Sequence, residues 1–166
     1  APLLARHFSI VVADLRGYGD SDKPKSDQTH SVYSKRSMAK DMREVMRALG
    51  HETFAVAGHD RGGRVAHRMA RDYPDAITRL ALLDIVPTLA MYEKTDKAFA
   101  TSYYHWFFLI QPKPFPETLI ERDPEFFLKH KTNHWGRTKG AITDEAFSEY
   151  LRCFSDPAAI HASCED

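Results

Sequence analysis

The chain carries no excess charge, almost no cysteine and no long apolar run, and each shortage removes a class of function. Lysine plus arginine and aspartate plus glutamate both number 23, so the formal net charge is zero. Nucleic-acid binders usually show a basic excess, so a nucleic-acid partner is not expected. The densest apolar run, Trp106 to Ile110, is five residues long. A membrane helix needs roughly 20, so no membrane partner is expected either. The two cysteines, Cys153 and Cys164, are too few for a disulfide framework and lack metal-ligand spacing. They read as reduced structural thiols of a cytoplasmic protein, and no metal or cofactor is implied. The opening "APLLARHFSIVVADL" has neither the basic start nor the cleavage site of a secretory leader. A start at Ala1 without methionine leads us to expect a fragment of a longer chain.

What is present is a globular composition, 43% hydrophobic over 166 residues, enough for one domain with a core. Phe8 to Leu15, "FSIVVADL", reads as a buried strand leaving into the loop "RGYGDSDKP". Met38, Met42, Val45, Met46 and Leu49 share one helical face, with Gly50 at the C-terminal cap. Around that face, Lys35, Arg36, Lys40, Asp41, Arg43, Glu44 and Arg47 read as a solvated surface. Thr53 to Gly58 is a second strand. A helix with Val65, Met69 and Tyr73 in register follows, and Pro74 ends it. Arg79 to Val86 is a third buried strand, closed by Pro87. Strand, helix, strand, helix, strand without tight hairpins predicts parallel strands with crossover helices, an α/β fold. Beyond about Thr88 the pattern is helical and rich in aromatics. We therefore divide the chain into a partial α/β core, residues 1–88, and a helical part, residues 89–166.

The segment "AVAGHDRGGRVAHRMA" joins the second strand to its helix. Glycines at 58 and 62 flank Asp60, and a tight strand-to-helix corner admits little else at such flanks. The corner would raise Asp60 above the strand ends at a helix N-terminus, where backbone N–H groups favour negative charge. A plain capped turn is the competing explanation. A second acid, Asp84 in "LLDIVP", lies at the end of the next strand, where an apolar run makes an unpartnered carboxylate costly. Arg61 and Arg64 occupy the first turn of the same helix. Cations there oppose the helix dipole by about 0.3–1 kcal/mol each, so a bound anion is the natural counterpart. Pairing with Asp14, Asp20, Asp72 or Asp60 is the alternative. Arg68 and Arg71 read as solvated.

Taken together, "VVADLRGYGDSDKP", "AGHDRGGRVAHRMA", "LALLDIVPT" and "YYHWFFLIQPKPFPE" resemble the fluoroacetate dehalogenases, a haloacid-cleaving branch of the α/β-hydrolase superfamily. Gly-x-Asp-x-Gly alone would equally fit haloalkane dehalogenases and epoxide hydrolases. The Asp-Arg-x-x-Arg spacing with a later His-Trp pair is more specific. The resemblance implies that Asp60 is the nucleophile and Asp84 the acid orienting a catalytic histidine. It implies that Arg61 and Arg64 grip the substrate carboxylate, that His105 and Trp106 hold the leaving halide, and that residues 89–166 form an incomplete cap. It further implies that the catalytic histidine lies beyond Asp166, that the oxyanion loop precedes Ala1, and that a third halide donor is not placed in this chain. The expected fold is thus an α/β-hydrolase fragment lacking N- and C-terminal parts of its core, from a homodimeric parent acting on small haloacids without a cofactor. Two readings compete. One is an epoxide hydrolase using the same aspartate, with Tyr103 or Tyr104 polarising the oxygen. The other is a carboxylate-binding protein without turnover. A second His-Trp step, His134-Trp135, reads as structural.

Overall fold

The computed structural model describes residues 1–135, 138 and 140–166, apart from the side chains of His134 and Trp135. The expectation for that His-Trp step therefore lies outside the described residues. Nine α-helices and two strands are found among the described residues. They are α1 (Lys35–Ala48), β1 (Phe54–His59), α2 (Asp60–Asp72), β2 (Ile77–Leu83), α3 (Thr88–Glu93), α4 (Lys97–Ser102), α5 (Tyr104–Phe108), α6 (Phe115–Arg122), α7 (Pro124–Trp135), α8 (Asp144–Phe154) and α9 (Pro157–Glu165).

The strands β1 and β2 pair in parallel, from Phe54 opposite Ile77 to His59 opposite Leu83. Parallel pairing requires a crossover, and α2 supplies it. Ser34 starts α1 by accepting from the Ser37 amide. Gly50, at φ +85°, takes the left-handed position after its end and donates to the Arg47 carbonyl. Val65 and Met69 on α2 meet Met38 and Ala39 on α1, and Tyr33 and Ala162 complete that core. A second, smaller core joins Leu109, Ile120 on α6 and Ile160 on α9. The helix α9 thus contributes to both.

Two expectations fail here. Phe8–Leu15 forms no strand: Phe8 is 62% and Val12 77% exposed, and the β1–β2 sheet offers that segment no ladder. A β-branched run becomes a strand only where a partner completes its hydrogen bonds. The third strand spans Ile77–Leu83, not 79–86, and is largely exposed, because α2 and β1 leave much of it uncovered. On α1 the apolar face is buried at Met38 but exposed at Val45 and Leu49, beyond the reach of the core.

Candidate active site

The turn from β1 into α2 puts Asp60 at the first position of the helix with φ +47°, a left-handed conformation costly for a residue with a Cβ. Close packing around the corner maintains it. A Cβ on Gly58 would lie 2.3 Å from the Gly62 carbonyl oxygen, and one on Gly63 would lie 3.1 Å from the Gly58 oxygen and from Ile85. A Cβ on Gly62 would meet nothing within 4 Å. The steric demand therefore falls on Gly58 and Gly63, not on Gly58 and Gly62 as the spacing predicts. Asp60 is exposed on this ledge, in the first turn of a helix whose dipole favours its negative charge.

One turn along α2, Arg64 donates from Nη1 to the Val86 carbonyl and to Thr88 Oγ1, each at 2.9 Å. Its guanidinium carbon sits 4.5 Å above the Trp106 ring. Burial pulls the Arg64 pKa down, Asp60 pulls it back up, and Arg61 adds a further lowering. Among the described residues, no acid forms an ion pair with Arg64, whose hydrogen bonds go to Val86 and Thr88. Arg61 differs: its Nη1 reaches Asp166 Oδ2 and the Tyr18 hydroxyl, both at 2.5 Å. The acids suspected from the sequence are not its partners. Asp72 takes Arg68 and Arg36, so Arg68 is paired rather than simply solvated, and Asp20 takes Arg152.

His105 and Trp106 both lie on α5. Burial, and then the charges of Lys131 and Arg61, push His105 down to about 3, so its imidazole is neutral at physiological pH. Trp106 packs against Tyr92 with ring centroids 5.4 Å apart. Asp60, Arg64, His105 and Trp106 line both of two adjoining cavities. The first, about 300 Å³, adds Arg61, Lys35, Tyr92 and Asp166. The second, about 370 Å³, adds Asp84, His59 and Tyr103. Asp84 follows the end of β2 at φ +50° and is exposed. It is therefore not a carboxylate inside a buried run, and the desolvation argument for a partner does not apply. All six residues singled out from the sequence border one or both cavities. Tyr104 lines neither; it packs against His130, and Lys131 lies 5.0 Å from its ring centroid.

Residues 1–157 match the family model of the alpha/beta hydrolase fold. The chain belongs to the α/β hydrolases. It is 52% identical over its whole length to a fluoroacetate dehalogenase of Burkholderia sp, and covers 55% of that protein. A soluble epoxide hydrolase of Corynebacterium sp. (strain C12) is 34% identical over 99% of the chain, which covers 57% of it. A solved structure of a candidate acyltransferase from Salmonella enterica superposes over the whole chain with TM-score 0.99 at 57% identity, and 55% of that protein is covered. This α/β hydrolase thus spans little more than half the length of the relatives it matches.

Several groups at these two cavities were not singled out from sequence. Lys35 was grouped with a solvated face, yet it lines the first cavity and contacts Asp166. Burial and the nearby Arg61 and Arg64 lower it to about 7, with Asp60 opposing. The signal was available: Lys35 opens α1, a cation at a helix N-terminus like Arg61 and Arg64 on α2. Asp41, placed on the same solvated face, pairs with Arg16 at 2.5 Å. Thr88, Tyr92 and Asp166 carried no local signal, because only the tertiary fold brings them to Asp60. Cys164 also borders the first cavity; burial raises its thiol to about 12, which keeps it protonated and agrees with a structural thiol. Among the described residues, no cluster of three or more His, Cys, Asp or Glu is placed to hold a metal. Among the same residues, no helix is long and apolar enough to cross a membrane.

Proposed function

We propose that the protein of which this chain is a part hydrolyses the carbon–halogen bond of small 2-haloacids, converting fluoroacetate to glycolate and fluoride. The observation that carries this reading is the sharing of one cavity of about 300 Å³ by Asp60, Arg61, Arg64, His105 and Trp106. A carboxylate nucleophile, two guanidiniums and two aromatic N–H donors are the groups that displacement of halide from an anion requires. The similarity to a fluoroacetate dehalogenase along the full chain supports it.

An oxygen of Asp60 attacks the carbon bearing the halogen, the carbon–halogen bond breaks, and an aspartyl ester forms. Attack by one anion on another is repulsive. Arg61 and Arg64 neutralise the substrate carboxylate and align the bond. The leaving fluoride concentrates charge on a small ion, and the neutral His105 imidazole and the Trp106 indole donate N–H bonds to it. Water then adds to the ester carbonyl, releasing glycolate and regenerating Asp60. On this reading the base that activates the water is a histidine of the longer protein, and Asp84 orients it across the second cavity. Residues 89–166 act as the cap, and homodimeric assembly follows the family pattern.

An epoxide-hydrolase reading draws on the Corynebacterium relative and on Tyr103, which borders the second cavity. It leaves the guanidiniums of Arg61 and Arg64 without a charged substrate group to bind. The deciding experiment is a halide-release assay of the complete protein on fluoroacetate and chloroacetate, with multiple turnovers in heavy-oxygen water. Halide release with label entering the Asp60 carboxylate is expected. Release of diol from epoxides with no halide from haloacids would favour the alternative, and anion binding without label would indicate a binding protein.

A further inference from the structure

Arg61 is held from behind by groups drawn from distant parts of the chain. Its Nη1 donates to the Tyr18 hydroxyl and to Asp166 Oδ2, both at 2.5 Å, and Nη1 and Nη2 each lie 3.4 Å from the Ser163 carbonyl oxygen. Tyr18 donates to the same Asp166 oxygen at 2.6 Å, which closes a ring of three hydrogen bonds. The Tyr18 ring centroid also lies 5.6 Å from the guanidinium carbon. Lys35 Nζ contacts the other Asp166 oxygen. The Asp166 side chain is 0% exposed, whereas Arg61 retains 29% exposure and faces the cavity with Asp60.

A guanidinium on a long flexible stem has many rotamers, and only a few aim its planar fork at one carboxylate. Fixing one nitrogen through two charge-assisted or polar bonds removes most of that freedom before substrate arrives. A buried acid next to an anion site would repel the substrate if its charge were unmatched. Here Asp166 lies between Lys35 and Arg61, so a basic side chain faces each of its two oxygens.

We propose that Tyr18 and Asp166 are positioning residues that lock Arg61 by its Nη1 end, present its remaining edge to a substrate carboxylate, and so set the affinity for haloacids. Lys35 holds Asp166 in place. This rests on the reading of Arg61 as a carboxylate anchor.

The test uses the complete protein and a double-mutant cycle on acetate binding, measured by calorimetry, with KM and kcat for chloroacetate alongside. Tyr18→Phe removes one hydroxyl and changes no charge in the pocket. It should weaken acetate binding and raise KM about five-fold, the scale of one hydrogen bond, with kcat held to within about twofold. In an Arg61→Lys background the same change should have almost no further effect, because a lysine has no second edge to aim. Asp166→Asn must turn an amide N–H2 toward either Lys35 or Arg61, and its effect should fall well short of additive with that of Tyr18→Phe. Unchanged acetate affinity in Tyr18→Phe, or an equal loss in the Arg61→Lys background, would overturn the proposal. The two readings separate cleanly. Acetate binding that depends on Tyr18 without halide release would retain the lock and remove the dehalogenase reading. Halide release with acetate binding indifferent to Tyr18 would do the reverse.

Discussion

Replacing Arg64 by lysine keeps the positive charge and removes the fork. In the structure one Arg64 nitrogen is committed to the Val86 carbonyl and Thr88 Oγ1, while the flat guanidinium lies over Trp106. A lysine has three donors on one tetrahedral atom. It cannot satisfy the carbonyl and the hydroxyl and also meet a carboxylate in plane, and it gives up the stacking. A hydrogen bond to a charged group contributes about 1.5–3 kcal/mol. Losing one in the complex lowers kcat/KM for chloroacetate by about 10- to 150-fold. The assay is halide release from chloroacetate by Arg64→Lys, paired with inhibition by acetate and by acetamide. The inhibition constant of acetate should rise by a similar factor, while that of neutral acetamide stays within about twofold, because only the anion uses the fork. Equal changes for acetate and acetamide would refute the anchor role, since they would reflect a general distortion of the pocket.

Asp60→Asn should lower halide release by more than about 10⁴-fold while leaving acetate affinity nearly intact, measured by single-turnover kinetics and calorimetry. Gly58→Ala drives a methyl to 2.3 Å from the Gly62 oxygen and should cost about 1–3 kcal/mol in urea unfolding; Gly62→Ala, with open space at its Cβ, should be neutral or stabilising by up to about 1 kcal/mol. The His105 pKa is lowered from 6.5 to about 3, so the folded state binds this proton less readily than the unfolded chain. The stability that follows is present above pH 6.5 and is lost as the pH falls towards 3. A His105→Gln variant should therefore lose less stability than the wild type over that acid window, read by thermal unfolding at each pH. A variant with the same acid slope as the wild type would show that His105 is not held neutral.

The corner at Asp60 could be read from sequence because its causes are local. A glycine spaced two before the aspartate, a strand before it and a helix after it leave few backbone solutions, and the structure places Asp60 at φ +47° on that corner. The arginines were legible for a related reason: a cation in a first helical turn opposes the dipole whatever the rest of the fold does. Lys35 offered the same local sign, but its neighbours on α1 resembled an ordinary charged face. The Phe8–Leu15 segment shows the opposite limit. Its β-branched composition is local, but a strand needs a neighbour, and composition cannot supply one.

Sequence by itself determined the parallel β1–α2–β2 unit, the C-terminal cap of α1 at Gly50 and the candidate nucleophile with its two arginines, since all of these follow from spacing and backbone conformation within a few residues. Tertiary structure alone decided that Arg64 lies over Trp106, that Arg61 is taken by Asp166 and Tyr18, and that Asp60 faces two cavities. Asp166 is 105 residues from Arg61 along the chain. A contact of that separation depends on how α9 packs beside α2, and no local pattern of residues encodes it.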